Sequence, residues 1–582
     1  MNNSGTIQTS QSVDRVTHKV LIDGQEIPGT YQVKSILVTK EVNRIPMAKL
    51  AIIDGDPAER DFKASNADLF IPGKEIEIAV GYHADDQTIF KGIILKQNVK
   101  IRSNQSLLLI EAKDKAVKMT LRRKNKYFYE VTDSDILEEL LGGYSLDADV
   151  ASTNASHQEL IQYDVTDWDF MMLRAQANGL IGIVDDGKVS LQKPDLTAEE
   201  EETVTFGATM LEFDAEMDAR TQVPKVISQA WNPANQEIQE MEGVDPNLPT
   251  NGNIGSADLA SLLDESGVIL RHGGNKIDTS LQDWANAKWT FQQMAKSRGR
   301  IKFQGIPTVK PGSMLLLEGV GDRFNGKVFI SAVSHQITEG NWTVDAQFGF
   351  DPKWFSEEQN DIHTPPASGL TAAIKGLQIG IVTQLEGDPD GEDRILVKLP
   401  IVNQEEQGIW CRQSCLDAGE DRGVSFRPEL EDEVIVGFIN EDPNEAIILG
   451  CLHSSAKPSP IPGSDDNHEK GIVTRSGIKM IFDDDLKSFL LETPNGNKLS
   501  LSDDGGSISL EDENGNKVLM NSDGITVESS KDLNLKATGD INIEGINITT
   551  KADAQYKAEG GAGAEMSTSA VAVIKGSIVQ IN

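Results

Sequence analysis

The stretch LSLSDDGGSISLEDENGNKVLMNSDGITVESSKDLNLKATGDINIEGINI, residues 499–548, decides the fold of the C-terminal part of the chain. Short apolar pairs recur along it, and acidic turns that contain Gly or Asn separate them. The pairs are Leu499/Leu501, Ile508/Leu510, Val518/Met520, Ile525/Val527, Leu533/Leu535, Ile541/Ile543 and Ile546/Ile548. One residue lies between the members of each pair, so both side chains belong to the same face of a strand. The repeat therefore predicts a ladder of short strands with one apolar and one polar face.

A ladder this narrow has nothing nearby to cover its apolar face, because no helix is predicted in this part of the chain. It must close against copies of itself or leave a long hydrophobic stripe in water. The simplest closure is an intertwined β-prism made by several identical chains. A monomeric β-solenoid and an edge-protected β-domain remain open on periodicity alone.

Length and charge narrow the class of protein. A chain of 582 residues has room for three or four domains of about 150 residues each. The net charge of −37 disfavours nucleic acid and anionic membranes as partners, because both would be repelled. We expect no secretory signal and no membrane span, since neither apolar pattern occurs. The three cysteines, an odd number, favour folding in the reducing cytoplasm.

The rest of the chain is mainly β with some helix. Strand patterns dominate residues 1–370, and helices are predicted near 134–142, 166–179 and 279–298. We interpret this region as two β-rich subdomains of barrel type. Residues 376–455 contain five strand patterns, which predicts a small five-stranded OB-fold barrel. A Pro-containing neck at 456–470 leads into the repeat region at 471–582.

Several segments resemble a known family. The barrel region reads GIVT from Gly380, DGEDRILVKLP from Asp390, GIWCR from Gly408, AGEDRGVSFRPELEDEVIVGF from Ala418 and EDPNEAIILG from Glu441. Upstream, IQYDVTDWDF starts at Ile161; in the tail, SGIKMIF starts at Ser476. These segments, in this order, are similar to the VgrG spike proteins of type VI secretion and related contractile injection systems, and to phage tail hub and puncturing-spike proteins.

The resemblance implies a homotrimer. Its N-terminal region would form a hub on the inner-tube protein and the baseplate, and its C-terminal region a triple-stranded β-helix needle. Such a needle carries a PAAR-type tip protein, with effectors or their adaptors, and contacts the target cell envelope transiently. The protein would lie in the cytoplasm within the assembled machine, and firing would eject it into a target cell or the extracellular space.

Two sets of residues follow from this interpretation. The trimer axis of the needle would take Leu499, Leu501, Ile508, Leu510, Val518, Met520, Ile525, Val527, Leu533, Leu535, Ile541 and Ile543. The blunt apolar end that docks a tip protein would be Ile578, Val579 and Ile581. An ordinary terminal strand with no partner is the alternative for this last segment.

The sequence offers little support for nucleic-acid binding or for a metal site. Residues 376–455 hold 17 acidic and 5 basic residues, so the barrel is not expected to bind nucleic acid. Cys411, Cys415, Cys451 and His453 have a conceivable zinc spacing. However, Cys411 and Cys415 on one continuous strand would lie about 13 Å apart, so buried free cysteines are the better interpretation.

The acidic loop 386–393 lacks the residue order of a calcium hand, and a solvated turn is expected. No nucleophile elbow, zinc-protease helix or phosphate loop occurs. We therefore predict no cofactor, no metal and no enzyme. Two other functions remain as alternatives: a trimeric tail-fibre or adhesin that binds surface carbohydrate, and an envelope-degrading enzyme.

Overall fold

The structure, a computed structural model, describes residues 15–263 and 266–581. The chain divides into two units. The first comprises Met1–Lys375 with Ile439–Glu445, and the second comprises Gly376–Phe438 with Ala446–Asn582. In the described residues, no helix combines the length and the apolar character needed to cross a membrane.

The first unit is rich in strands. These are β1 (Val16–Ile22), β2 (Gln25–Glu26), β3 (Gln32–Glu41), β4 (Met47–Ile53), β5 (Glu75–Tyr82), β6 (Asp85–Ile101), β7 (Ser106–Lys113), β8 (Arg123–Thr132), β9 (Asp147–Val150), β10 (Ser156–Thr166), β11 (Ile181–Asp185), β12 (Lys188–Gln192), β13 (Glu200–Thr205), β14 (Met210–Met217), β15 (Val226–Asn232), β16 (Glu237–Glu242), β17 (Val268–His272), β18 (Ser297–Gln304), β19 (Met314–Glu318), β20 (Gly326–Thr338) and β21 (Asn341–Phe348).

Helices are fewer and mostly short. They are α1 (Lys63–Asn66), α2 (Asp133–Gly142), α3 (Asp167–Ala177), α4 (Ser256–Leu263), α5 (Asp278–Met294) and α6 (Phe355–Glu358), with 3-10 turns at Asp68–Phe70, Lys115–Thr120, Ala219–Thr221, Pro366–Gly369 and Ile439–Glu441. Helices α2, α3 and α5 overlap the three segments for which the sequence predicts helices. Thr132 and Thr166 cap α2 and α3, because each side chain accepts a hydrogen bond from the backbone N–H three residues later.

Most strands of the first unit join one sheet. Its path is β14-β18-β21-β20-β3-β4-β7-β6-β5-β1-β2, and β13 and β19 attach at β20. The long strand β20 makes the join, because it pairs with β21 on one side and with β3 on the other. Period-2 alternation in the sequence predicts the strands but does not say which of them continue into a common sheet.

Two apolar clusters lie under this sheet. One is built around Phe70, Phe90 and Trp342, and the other around Phe303 and Phe348. Buried His335 lies beside the first cluster and accepts a hydrogen bond on Nδ1 from the Trp342 indole, 3.4 Å away. Burial lowers the pKa of His335 to about 3, and the charges of Lys40 and Lys310 act in the same direction.

A third cluster holds α2 and α3 against β8 to β12. At its centre Asp133 is 1 % exposed and accepts two hydrogen bonds from the Arg174 guanidinium, at 2.6 and 2.9 Å. Asn178 donates to the same carboxylate at 2.8 Å. Burial alone would raise the pKa of Asp133, but hydrogen bonds from His157 and Arg174 outweigh it and hold that pKa well below its usual range.

The second unit begins with a closed five-stranded barrel, as the sequence predicts for an OB fold. Its strands are β22 (Gln378–Gln384), β23 (Ile395–Lys398), β24 (Ile409–Gln413), β27 (Glu433–Phe438) and β28 (Ala446–Cys451), closed in the order β22-β23-β24-β28-β27. A small hairpin, β25 (Ala418–Gly419) and β26 (Arg422–Gly423), lies between β24 and β27. Val397, Val434 and Val436 are fully buried inside the barrel.

Seven short strands follow the barrel and form an antiparallel meander. They are β29 (Glu469–Val473), β30 (Lys479–Asp483), β31 (Ser488–Glu492), β32 (Lys498–Ser502), β33 (Ser507–Glu511), β34 (Lys517–Asn521) and β35 (Gly524–Glu528). Each strand pairs with the next one along the chain, and each has five residues. The mainly β fold class predicted from the sequence is therefore confirmed.

Candidate functional site

One face of the C-terminal meander carries two columns of apolar side chains. The register places Phe489 opposite Leu501, and Leu501 opposite Ile508. The complete first column is Phe482, Phe489, Leu501, Ile508, Met520 and Ile525. The second column is Ile472, Met480, Leu491, Leu499, Leu510, Val518 and Val527. Eight of the predicted axis residues, from Leu499 to Val527, therefore share one continuous surface.

This apolar surface is open to solvent in the single chain. Ile508 is 44 % exposed and Ile525 is 71 % exposed. A soluble protein rarely leaves so many adjacent apolar side chains in water unless they form an interaction surface. The face is therefore a candidate interface.

Beyond β35 the chain changes character. The described residues 529–581 contain no strand, and no backbone-to-backbone hydrogen bond of the chain has its donor there. The remaining predicted axis residues, Leu533, Leu535, Ile541 and Ile543, lie in this segment and are more than half exposed. Ile578, Val579 and Ile581 are also exposed and also lie outside strands.

The strand alternation expected at these four axis residues is thus not realised as paired strands within one chain. A strand exists only when its N–H and C=O groups find partners, and an apolar/polar alternation does not specify which chain supplies them. The junction is fixed nevertheless: the side chain of Asn516 accepts hydrogen bonds from the Ser529 hydroxyl and the Ser530 N–H, both at 3.0 Å.

The opposite face of the meander carries charges of alternating sign, which the sequence analysis did not single out. The register aligns Lys479, Glu492, Lys498, Glu511, Lys517 and Glu528 in one row across the strands. Glu511 bonds Lys498 at 2.8 Å and Lys517 at 3.0 Å, and Lys479 lies 3.6 Å from Glu492. The signal was present in the sequence, because the lysines at 479, 498 and 517 recur every 19 residues. We call this row the charge ladder.

The cysteines of the barrel are not gathered into a site. Cys411 is buried in the barrel core, whereas Cys415 and Cys451 are exposed. Burial raises the pKa of the Cys411 thiol to about 12, and this side chain packs in the barrel core as a small hydrophobe. Within residues 15–263 and 266–581, no group of three or more His, Cys, Asp or Glu is arranged to hold a metal.

The acidic loop of the barrel is organised by an arginine. Arg394 donates from Nη2 to Asp388 at 2.6 Å and from Nε to both oxygens of the same carboxylate at 3.1 Å. The backbone N–H of Glu392 donates to Asp388 as well, at 2.8 Å. The Asp388 carboxylate therefore forms a charge-assisted pair with a guanidinium inside the loop.

An exposed aromatic patch on β8 and β10 was also missed from the sequence. Tyr127 and Tyr129 stack with ring centroids 6.2 Å apart, and Ile161 lies opposite Tyr127. A bulge in β10 presents Tyr163, which is 78 % exposed. Alternation in the segment Tyr127-Phe128-Tyr129, whose middle residue is buried, is the signal that could have found it.

Three known families match successive segments of the chain. Residues 12–339 match the family described as the Alg8 N-terminal domain. Residues 378–453 match the type VI secretion system and phage-baseplate injector OB domain, and residues 488–582 match the phage baseplate V C-terminal trimerisation domain. The barrel and the part of the meander from β31 onward therefore lie in segments related to structural parts of injectors and baseplates.

Individual relatives are distant. The type VI secretion system spike protein VgrG4b of Pseudomonas aeruginosa is 26 % identical over 187 residues, which cover 27 % of this chain and 23 % of that protein. The chain thus matches about a quarter of the length of this curated relative. Among solved structures, the tail protein of Neisseria meningitidis has 14 % identity and a TM-score of 0.44, with 59 % of this chain and 98 % of that chain covered.

The E. coli c3393 protein, described as a component of the type VI secretion system, has 13 % identity and a TM-score of 0.38. That similarity covers 75 % of this chain and 100 % of the other. Since the first family match spans more than half of the 582 residues, the chain belongs to the Alg8 N-terminal domain family, and its domain content is that of the VgrG-type spike proteins of contractile injection systems.

Proposed function

We propose that this chain is the trimeric hub and spike of a contractile injection machine, of type VI or of a related phage-tail-like particle. The N-terminal region caps the inner tube and meets the baseplate, and the C-terminal region is a needle that punctures the target envelope. The role is mechanical, and the chain carries a tip protein and effectors or their adaptors. The protein is made in the cytoplasm and leaves the cell when the machine fires.

The exposed apolar face of the meander is the observation that carries this proposal. Three copies can turn their two-column faces toward a common axis and bury them against one another. Each large apolar side chain contributes about 1.5–3 kcal/mol when it moves from water to a packed interior. A match of residues 488–582 to a trimerisation domain supports three as the number of copies.

Backbone hydrogen bonding supports the same assembly. Residues 531–581 make no strand with their own chain, although Leu533/Leu535 and Ile541/Ile543 keep the alternation of β-structure. Strands contributed by two other copies would satisfy these N–H and C=O groups and bury the apolar pairs together. The twelve predicted axis residues then line one axis, in two zones that differ in where their partners come from.

The end of the described chain is proposed as the docking surface for a PAAR-type tip protein. Ile578 and Ile581 are more than four-fifths exposed, and Val579 is half exposed. Three copies of this short apolar segment would form a blunt end suited to a capping partner. The proposed domain boundaries remain 1–370 for the hub, 376–455 for the barrel, 456–470 for the neck and 471–582 for the needle.

Adjacent substitutions on β35 test the trimer. Ile525 lies on the apolar face and Thr526 on the opposite face, and both are exposed in the single chain. We expect light scattering to give the mass of a trimer for the parent and for Thr526→Asp, and a smaller mass for Ile525→Asp, because a buried unpaired carboxylate is costly. A parent protein that is a folded monomer at micromolar concentration would falsify the proposal.

Tip docking is tested separately. Deletion of residues 576–582 should abolish co-purification of a candidate PAAR-type protein while the trimer persists. Retained binding would show that the tip protein docks elsewhere.

A further inference from the structure

The meander is built from a repeated unit that the family matches do not describe. Residues 474–492 read TRSGIKMIFDDDLKSFLLE, residues 493–511 read TPNGNKLSLSDDGGSISLE, and residues 512–528 read DENGNKVLMNSDGITVE. Each unit opens with a turn that contains Gly, continues with a strand that starts at Lys, and ends with a strand that closes at Glu. We call these three units the cassettes.

The cassettes share their turn geometry. In each opening turn the glycine has a positive φ: 85° at Gly477, 92° at Gly496 and 85° at Gly515. The first residue of each cassette donates its backbone N–H to the carbonyl of the fifth residue, at 2.9 Å in the first two cassettes and 3.1 Å in the third. The repeat is therefore structural and not only a similarity of letters.

The charge ladder joins one cassette to the next. Within the second cassette Lys498 pairs with Glu511, and across the boundary Glu511 pairs with Lys517 of the third. Because every cassette starts its first strand with Lys and ends its second with Glu, each boundary places a carboxylate opposite an ammonium. Like charges opposite each other would be unfavourable, so the ladder favours whole cassettes as the unit of stacking.

Contacts between turns repeat along the meander too. In each cassette a second turn joins its two strands. These turns of the first and second cassettes meet where Asp503 donates its N–H to the Lys487 carbonyl at 3.1 Å. The opening turns of the second and third meet where the Glu513 N–H donates to the Asn497 side chain at 3.2 Å. Turns on either side of the sheet thus contact the corresponding turn of the neighbouring cassette.

We propose that the cassettes are interchangeable layers of the interface between copies of this chain, and that their number sets the length of the proximal part of the needle. Length control of this kind presupposes the trimer proposed above. Each cassette supplies four apolar side chains to the axis, for example Leu499, Leu501, Ile508 and Leu510, and closes its outer face with its own Lys and Glu.

Removal of the second cassette should leave both the apolar columns and the charge ladder continuous. Deletion of residues 493–511 joins Glu492 to Asp512, so β31 becomes the neighbour of β34. Leu491 then faces Val518, Phe489 faces Met520 and Glu492 faces Lys517, by analogy with the register across β31 and β32. The apolar columns and the charge ladder both continue.

Removal of a single strand, in contrast, interrupts the charge ladder. Deletion of residues 503–512 makes β34 follow β32 directly, with the turn at Asn514 and Gly515 retained. The apolar side chains still face one another, but Lys498 now faces Asn521 and Lys517 faces Ser502, so the ladder is broken. The two deletions therefore separate the cassette from the strand as the building unit.

The experiment uses the full chain and three variants: deletion of 493–511, tandem duplication of 493–511, and deletion of 503–512. Mass is measured by light scattering, needle length by electron microscopy and stability by thermal unfolding. We expect trimers whose needles are about 10 Å shorter and about 10 Å longer than the parent, because two strands span about 9.6 Å along the sheet. The variant with the single-strand deletion should either fail to form a trimer or have a melting temperature well below that of the variant with the cassette deletion.

The outcomes separate a failure of the proposed trimer from a failure of the cassette proposal. A monomeric parent overturns the proposed function itself. A trimeric parent with either cassette variant unable to assemble overturns the interchangeable layer. Equal stability of the single-strand and cassette deletions also overturns it, because the strand alone would then be the unit.

Discussion

The Lys498 ammonium lies 2.8 Å from Oε2 of Glu511, directly across the strand pair β32 and β33. On its other side Glu511 uses Oε1 to bond Lys517 at 3.0 Å. One carboxylate thus joins three consecutive strands on the face that is opposite the apolar columns. Hydrogen bonds from Lys498 and Lys517 lower the pKa of Glu511, so it stays charged at neutral pH.

Reversal of this central charge should destabilise the meander. We expect Glu511→Lys to lower the free energy of unfolding, since it replaces two attractive ion pairs by the repulsion of three neighbouring cations. Denaturant unfolding at low salt measures the effect, which should shrink in about 1 M salt, where the Debye length is about 3 Å. The compensated variant Lys498→Glu/Glu511→Lys/Lys517→Glu should recover most of the loss. No loss in Glu511→Lys at low salt would contradict a stabilising ladder.

Asp133 should be essential for the stability of the first unit. Asp133→Ala leaves the partly buried Arg174 guanidinium without its carboxylate, which costs about 3–5 kcal/mol in comparable buried pairs. Urea unfolding monitored by tryptophan fluorescence measures the change. Asp147→Ala, which removes an exposed carboxylate on β9, is the control and should stay within about 0.5 kcal/mol of the parent. Equal effects of the two variants would argue against the buried network.

Acid should destabilise the first unit through His335. Its pKa is about 3 in the folded protein, so it remains neutral there while the unfolded chain takes up a proton below about pH 6.5. Stability attributable to His335 is therefore full above pH 6.5 and falls by up to about 1.4 kcal/mol per pH unit below it. Between about pH 6.5 and 4.5, the free energy of unfolding should fall more steeply with decreasing pH in the parent than in His335→Gln. Denaturant unfolding at several pH values measures this dependence. Parallel pH dependences would refute this assignment.

The three cysteines should differ in reactivity. Cys415 and Cys451 are exposed and should react with iodoacetamide in the native protein near pH 8, where part of an ordinary thiol is ionised. Cys451 should react more slowly than Cys415, because partial burial and the charge of Asp432 raise its pKa. Cys411 should be alkylated only after unfolding, and peptide mass spectrometry distinguishes the sites. Labelling of Cys411 in the native state would show that the barrel core opens.

The sequence predicts those parts of the fold that depend on local alternation. The pairs from Leu499/Leu501 to Ile525/Val527 coincide with β32 to β35, and the five barrel strands coincide with β22, β23, β24, β27 and β28. Alternation identifies a strand and its apolar face because both properties are local.

Long-range relationships were not accessible in the same way. The single N-terminal sheet depends on β20 pairing with β3 across almost 300 residues of sequence, and no local pattern encodes that pairing. The buried pair of Asp133 with Arg174 brings together residues on two different helices. The charge ladder, in contrast, is encoded locally, because the lysines at 479, 498 and 517 recur every 19 residues.

The unpaired segment 531–581 has a kinetic consequence. Ordering of the first unit, the barrel and the meander is unimolecular, because each finds its hydrogen-bond partners within one polypeptide. In the proposed trimer, ordering of this segment depends on other copies, since none of its described amide groups donates to a backbone carbonyl of its own chain. The rate at which the proposed trimer completes its C-terminal region should therefore rise steeply with protein concentration, and dilution should trap a species in which the first unit, the barrel and the meander are folded but residues 531–581 are not paired.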